Sequence, residues 1–379
     1  MTKSLMSLLV LLALCLPAHA RDGEACGTPA PLDDGWSIAA PAEVGIDPAQ
    51  LCRLDAFLGQ WPDANIHAVV VARNGRLVME RYFTGADENW GRPLGTVQFG
   101  PETRHDLRSI SKSVTSLLVG IALGEGRFPS LDSPAIDFFP ELAPLRTADN
   151  ARITFANLLT MSSGLKWNES IPYTDPANSE RRLIASPTPL KYVFEQPVVT
   201  PPGSTYNYNG GNTTILGAAV SKAAGQPLDD YARDKLFMPL DILSFEWIGL
   251  PLAGELRAAA SGLRLRPRDT AKLGRLLLTD GQWNGRQVVP AGWAAQSIRP
   301  RINGDGLFFY GYQWWLGRSF HNGAELSWVA GVGLGGQRLY IVPALDLVVM
   351  ISAGHYASGL QGVIPAGIFT RVVLPAVRD

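Results

Sequence analysis

The chain has 379 residues, 46% hydrophobic and 18% charged, with 39 Gly, 28 Pro, 10 Trp and 3 Cys. That composition excludes a disordered, collagenous or disulfide-framework protein, and the length suffices for one large domain or two intimately packed ones. A formal charge of −1 provides no polyanion-attracting field, so nucleic acid is not an expected partner.

The N-terminus differs in kind from the rest. Lys3 precedes the apolar run Leu8 to Leu16, and Ala18-His19-Ala20 follows as a small-x-small cleavage site. This is the pattern of an export leader, too short to span a bilayer comfortably, with cleavage after Ala20 and a periplasmic or secreted chain from Arg21 onward. A lipoprotein would use Cys15, but Leu14 stands where a small residue is wanted. No later segment reads as transmembrane. Cys26 and Cys52 survive cleavage; a disulfide between them and two unrelated buried thiols both fit.

In chain order, His67 to Arg73 reads as a strand, Asn74-Gly75 as a two-residue hairpin turn, and Arg76 to Phe83 as the returning strand. From Leu107 to Gly124 the apolar spacing becomes helical. Thr213 to Ala224 and Pro267 to Leu278 are further helical stretches in a Pro-rich middle region. Gln337 to Val342 and Leu347 to Ser352 are β-rich runs joined by Pro343-Ala344-Leu345-Asp346, and Gly359 to Val377 is apolar enough for a packed helix. Strands at both ends with helices between predict an α+β fold, an antiparallel sheet assembled from both termini with a helical region inserted. The expected division is a sheet region over about 21–105 and 250–379 and a helical region over about 106–250.

The chemistry narrows by elimination. His67, His105, His321 and His355 are widely spaced, with no His-Glu-x-x-His, so a dedicated metal site is not expected. His321 and His355 read as polar loop residues. Gly331-Val332-Gly333-Leu334-Gly335-Gly336 leads into a strand, where a phosphate loop leads into a helix. There is no Gly-x-Ser-x-Gly elbow. What remains is Ser109-Ile110-Ser111-Lys112 at the start of a helix, where Ser at i and Lys at i+3 share a face. A desolvated amine beside a helix N-terminus can take the hydroxyl proton and create a nucleophile. The competing reading of Ser109 is an ordinary helix cap. A second match, Ser163-Gly164-Leu165-Lys166, lacks a following apolar helical run.

Ser109-Ile110-Ser111-Lys112-Ser113-Val114-Thr115-Ser116 resembles the nucleophile helix of the serine β-lactamase and penicillin-binding superfamily, particularly its class C-like branch. Pro202-Gly203-Ser204-Thr205-Tyr206-Asn207-Tyr208-Asn209-Gly210 is similar to that branch's Tyr-Ser-Asn loop. Ala259-Ala260-Ser261-Gly262-Leu263 and Pro267 to Gly274 resemble its Ser-Gly-Leu and Arg-Asp segments, and Gly331-Val332-Gly333 lies where it carries Lys/His-Thr-Gly. The resemblance covers roughly residues 35 to 375. It implies a β-lactamase/transpeptidase-like fold, Ser109 as acylated nucleophile, Lys112 as its proton partner and Tyr208 as general base and acid, with its phenol drawn toward phenolate by the neighbouring lysine. Tyr206 is the competing tyrosine. The backbone N–H groups of Ser109 and Leu334 would form the oxyanion hole.

Two departures from the family pattern bear on substrate. Gly210 removes the amide of the Tyr-x-Asn motif, for which Asn209 or Asn212 would have to substitute. Gly331, Val332 and Gly333 lack the cation and hydroxyl that clamp a carboxylate. The resemblance therefore implies a hydrolase of small esters or linear amides, like the branch's carboxylesterases and 6-aminohexanoate-oligomer hydrolases, with Tyr173 over the scissile amide and no cofactor. The rivals are a class C-like β-lactamase or D-Ala-D-Ala peptidase that recruits an arginine, and a non-hydrolytic penicillin-recognising domain. The aromatic run Phe308, Phe309, Tyr310, Tyr312, Trp314, Trp315 with Trp328 reads as core or as the wall of an apolar pocket.

Overall fold

Three short strands come first in the computed structural model, which describes residues 27–378: β1 (Ser37–Ile38), β2 (Ile66–Arg73) and β3 (Arg76–Tyr82). The expected leader, with its Ala20 cleavage site, and Cys26 lie outside the described residues; Cys52 is disulfide-bonded. β4 (Thr84–Asn89) and β5 (Arg92–Gln98) form a separate hairpin, while β6 (His105–Asp106), β7 (Phe245–Trp247) and β8 (Leu263–Leu265) make a three-stranded sheet. β9 (Ile302–Asn303), β10 (Phe309–Tyr310), β11 (Trp315–His321), β12 (Ala324–Gly333), β13 (Gln337–Val342) and β14 (Leu347–Ala353) then join β1–β3 in one nine-stranded sheet. Its order is β1-β3-β2-β14-β13-β12-β11-β10-β9, so the two ends of the chain meet where β2 pairs with β14. All neighbours are antiparallel except β1 with β3. At the β2–β3 turn, Asn74 and Gly75 both take positive φ (52° and 71°), the backbone a two-residue hairpin demands.

The long apolar runs of β2 and β14 follow from the sheet being covered on both faces. Val70, Ala72, Met350 and Val348 point into one core with α1 (Ile110–Gly124), α2 (Gly210–Ala224) and α3 (Pro267–Leu278). Val69, Val71, Val349 and Ile351 point into a second core with Leu51, Phe57 and the C-terminal helical segment. Period-two alternation sends neighbouring residues of one strand to opposite cores. The C-terminal segment forms the helix its composition suggests, with a π-bulge in it: α4 (Leu360–Gly367) widens to π-helical turns over Ile368–Val373 and returns to α geometry over Leu374–Ala376. Pro365 has no N–H for the Gln361 carbonyl, which instead accepts from Arg338 Nη2 at 3.0 Å.

The Arg-Asp segment on α3 is a structural fastening. The Arg268 guanidinium is fully buried and bridges Asp34 (2.6 Å) and Glu80 (3.1 Å), tying α3 to the N-terminal chain and to β3. Asp269 pairs with Arg266 and, at 2.9 Å, with Lys272, whose ammonium also donates to the carbonyls of Leu240 and Asp241.

Candidate active site

Ser109 sits at a sharp bend between β6 and α1. Arg108 before it takes φ 49°, a left-handed conformation that costs a non-glycine residue about 1 kcal/mol or more. The conformation is fixed from several sides: Arg108 pairs with Asp106 (3.2 Å) and Glu88, lies over the Tyr356 ring, and its carbonyl accepts from Ser111 Oγ at 2.6 Å. Ser109 occupies the cap position of α1, but its side chain caps nothing. Its hydroxyl is instead turned to Lys112, whose Nζ donates to Ser109 Oγ at 3.1 Å and to the Ala260 carbonyl at 3.1 Å. The rest of this polar helix face is stapled down: Thr115 Oγ1 donates to the Ala259 carbonyl, the Leu263 N–H donates to Ser111 Oγ, and Ser113 Oγ donates to the Gln313 carbonyl. The Ser-Gly-Leu stretch thus serves as the carbonyl rail that positions Lys112, which is 1% exposed.

Tyr208 closes the other side. Its phenol is hydrogen-bonded to Ser109, its ring stacks on Trp315 at 5.9 Å, and Lys112 Nζ stands 4.7 Å from its centroid. Burial and the nearby Glu169 push the phenol well above its ordinary value, outweighing the Ser109 hydrogen bond. This reverses the expected drift toward phenolate: the resting group is a neutral phenol. Tyr206 packs its ring against Tyr310 and Trp315, with no hydrogen-bond partner for its buried hydroxyl among the described residues, so Tyr208 is the tyrosine at Ser109.

These groups lie at a cleft of about 440 Å³ lined by Ser109, Tyr208, Tyr206, Tyr173, Trp315, Asp305, Val332, Gly333, Leu334 and Arg338 among others. Ser109 and Leu334 share its wall, and among the described residues no acceptor holds either backbone N–H. Gly331 lies off the cleft, packed against Ile110. Tyr173 is 39% exposed at the rim, donating to Glu169 Oε1 at 3.0 Å. Asn209 is not on the wall: its carboxamide oxygen accepts from the Asn212 N–H and caps α2, and Asn212 is equally buried. Neither replaces the missing amide at 210. His321 and His355 are also away from the cleft, and His355 Nε2 accepts from the Asn65 N–H at 3.0 Å. The aromatic run divides: Tyr310, Tyr312 and Trp314 are core, while Trp315 lines the cleft. The Ser163-Gly164-Leu165-Lys166 match forms no helix.

Sequence reasoning missed Glu169. Its carboxylate lies 3.9 Å from Lys112 Nζ and accepts from the Trp167 indole (2.8 Å), the Tyr173 phenol (3.0 Å) and the Gly210 N–H (2.7 Å). Behind it lies Glu180, buried with Oε2 unpartnered; burial, then the Glu169 charge, push its carboxyl up to about 8, with Lys112 opposing. Gly210 was the available clue, since a lost side chain beside a lysine leaves room for another polar group. Arg338 was also missed. It stands on β13 opposite Val332 and donates to the carbonyls of Gly333 (3.1 Å), Gln337 (2.8 Å) and Gln361 (3.0 Å).

The Beta-lactamase family model matches residues 65–357, which spans most of the chain and every group just described from Ser109 to Arg338. The chain belongs to the β-lactamase family. It is a serine hydrolase of that family with the family's α+β fold. A 6-aminohexanoate-dimer hydrolase from Paenarthrobacter ureafaciens is 27% identical over 339 residues, covering 82% of this chain and 79% of that protein. Among solved structures, a putative 6-aminohexanoate-dimer hydrolase from Bacillus anthracis superposes with TM-score 0.67 at 22% identity, covering 83% and 80% of the two chains. EstCE1, a hydrolase with promiscuous acyltransferase activity, superposes with TM-score 0.65 at 18% identity, covering 85% and 98%. A class C β-lactamase mutant gives TM-score 0.64 at 16% identity, covering 85% and 97%.

Proposed function

We propose that this β-lactamase-family chain hydrolyses small esters or linear amides through an acyl-enzyme on Ser109. The observation that carries the reading is the Ser109 hydroxyl held between the Lys112 amine, at 3.1 Å, and the Tyr208 phenol at the floor of an aromatic-walled cleft. Ser109 Oγ attacks the carbonyl carbon, and the neutral Lys112 amine takes its proton. The tetrahedral oxyanion lies between the N–H groups of Ser109 and Leu334. Because Tyr208 rests as a phenol, it serves first as the acid: it gives its proton to the leaving alcohol or amine while Lys112 restores it. Water then adds to the ester at Ser109 and gives its proton to the Lys112 amine; the Ser109 oxygen leaves with a proton from Tyr208, which Lys112 restores, and the acid is released. Tyr173 at the rim would face the leaving group. These steps use this chain's side chains and water alone.

The substrate class rests on the residues that line the cleft just before Leu334. Val332 and Gly333 supply no cation or hydroxyl for a carboxylate, and the relative named as a 6-aminohexanoate-dimer hydrolase supports a linear amide. A second reading, a β-lactamase or D-Ala-D-Ala peptidase, is favoured by Arg338, a cation in the cleft beside Val332. The leader sequence supports export, and no helix among the described residues is long and apolar enough to cross a membrane.

The test is intact-mass spectrometry after incubation with a fluorophosphonate and, separately, a penicillin, with Ser109→Ala as control. The expected result is a fluorophosphonate adduct absent from the variant, no lasting penicillin adduct, and turnover of p-nitrophenyl esters or short linear amides. A lasting penicillin adduct would move the assignment to the penicillin-binding class. Labelling undiminished in Ser109→Ala would remove Ser109 as the nucleophile.

A further inference from the structure

We propose that His67, Asp87 and His105 form a buried structural zinc site beneath the segment that leads into Ser109. The three residues come from β2, β4 and β6, strands of three separate sheets, and all are buried. His67 Nδ1 faces His105 Nε2 at 2.8 Å, and Asp87 Oδ1 lies 3.8 Å from the first and 3.5 Å from the second. A point equidistant from three atoms with those separations (2.8, 3.8 and 3.5 Å) is about 2.0 Å from each, the length of a zinc bond to imidazole nitrogen or carboxylate oxygen.

The outer nitrogens decide which lone pairs face inward. His105 Nδ1 lies 3.0 Å from the Asp106 carbonyl, which can only accept, so this nitrogen carries the hydrogen. His67 Nε2 lies 3.0 Å from Asn65 Oδ1, and the Asn65 amide is oriented by its own Nδ2 donating to the Ala86 carbonyl at 2.8 Å. That nitrogen is therefore a donor as well. In the neutral imidazoles the two facing nitrogens are both bare, and a carboxylate oxygen faces them. Three converging lone pairs with no hydrogen between them are repulsive unless a cation sits at their centre. Without a cation, a proton must sit between these groups, at hydrogen-bond distance between the two rings.

The surroundings are those of a metal site. Each histidine gives its outer N–H to a carbonyl oxygen, the usual means of orienting a metal-bound imidazole. The Tyr356 hydroxyl donates to Asp87 Oδ1 at 2.9 Å and fixes the carboxylate. Among the described residues Asp87 Oδ2 is buried without a hydrogen-bond partner, so the same carboxylate has a second donor to offer a metal. Gly85 and Gly354 hold the histidine from two sides, because a β-carbon at either would overlap His67 or Asn65. Two imidazoles and a carboxylate suit zinc among the divalent metals, and a site closed to solvent points to structure rather than catalysis. The spacing of the histidines gave no hint of this, since the third ligand is an aspartate brought in by the β4 hairpin.

The test uses the full chain without an affinity tag, purified without chelator. Metal analysis is expected to find about one zinc per chain. After dialysis against a strong chelator, re-added zinc at about a hundredfold excess over its dissociation constant is expected to raise Tm by roughly 5 °C. Cobalt(II) in its place should give the intense visible bands of a four-coordinate ion. Asp87→Asn and His105→Asn should each bind zinc at least tenfold more weakly (~1.4 kcal/mol), and Ser109→Ala should bind it as the wild type does. Should the ligand variants fail to fold, the titration of the intact wild-type chain decides. No metal on isolation together with no Tm shift and no cobalt band overturns the proposal. Undiminished zinc binding by a folded Asp87→Asn chain also overturns it, because the metal is then elsewhere.

Discussion

Gly210 and Glu180 are fitted to one another: a β-carbon on residue 210 would overlap the Glu180 carboxylate. The missing amide of the Tyr-x-Asn motif and the buried glutamate are therefore one feature seen twice. Gly210 also donates its N–H to Glu169 at 2.7 Å, so the same residue admits one carboxyl and anchors the other. Gly210→Ala should overpack this site and cost about 1–3 kcal/mol of stability. Combining it with Glu180→Ser should recover most of the loss. Thermal denaturation of the two single variants and the double checks the coupling; additive losses would show that the two positions do not compete for the same space.

Glu180 also predicts a pH dependence. In the unfolded chain its carboxyl ionises near the ordinary value of 4.5, whereas in the fold it holds its proton to about 8. Between those values the unfolded state has released a proton that the native state keeps, so this group makes stability fall as pH rises from about 4.5 to 8. Below and above that window its contribution is level. Glu180→Gln keeps the neutral form at every pH, so its Tm advantage over wild type should widen by several degrees between pH 5 and pH 8. Glu169 and Lys112 are the charges that face the group, and both remain in the variant. Parallel Tm curves for the two proteins across this range would remove Glu180 as the titrating group.

Tyr208 should behave as a proton donor that is not itself needed for binding. Tyr208→Phe keeps the ring against Trp315 and the Lys112 side chain while removing the hydroxyl at Ser109. With a p-nitrophenyl ester as substrate, kcat is expected to fall about 10²–10⁴-fold with KM little changed. The deficit should be smaller for an activated leaving group than for an amide, whose nitrogen must be protonated to depart. Equal losses on both substrates would place the hydroxyl in another step.

The sequence disclosed those parts of the site that are local. Ser109 and Lys112 are three residues apart on one helix, so their contact follows from helical geometry alone. Tyr208 was legible through its motif, though its protonation was misjudged because it is set by burial and then by Glu169, both products of the tertiary fold. Asn209 looked available for substrate because it is polar and adjacent, yet the start of α2 needed a cap and took its side chain. The paired runs around Asn74-Gly75 and Pro343–Asp346 were readable because register and turn chemistry agree. The π-bulge in the C-terminal helix at Ile368–Val373 was not, since its apolar composition suits α and π geometry alike.

Arg268 should be among the least replaceable residues away from the cleft. Its guanidinium is 0% exposed and bridges Asp34 and Glu80, which are nearly as buried. Arg268→Met keeps most of the volume but leaves two buried carboxylates without a cation, a loss of about 3–5 kcal/mol. Urea denaturation should show the midpoint falling with an unchanged slope. A loss below about 1 kcal/mol would mean that the carboxylates find other partners or water.

Arg338 separates the two substrate classes. Its guanidinium lines the cleft beside Val332, where a carboxylate clamp would be, but its Nη1 and Nη2 donate to the carbonyls of Gly333, Gln337 and Gln361. One of those carbonyls is free to accept because Pro365 has no N–H to offer it. An arginine held this way braces the strand that leads to Leu334 and has little left for a ligand. Arg338→Met should therefore lower Tm, since buried carbonyls lose their donors, while kcat/KM for a neutral ester changes less than about tenfold. A carboxylate clamp behaves otherwise: its loss would cut acylation by a penicillin more than about a hundredfold and spare a neutral ester. Measuring acylation rates of the variant with both compounds distinguishes bracing from recognition, because only recognition makes the loss depend on the carboxylate.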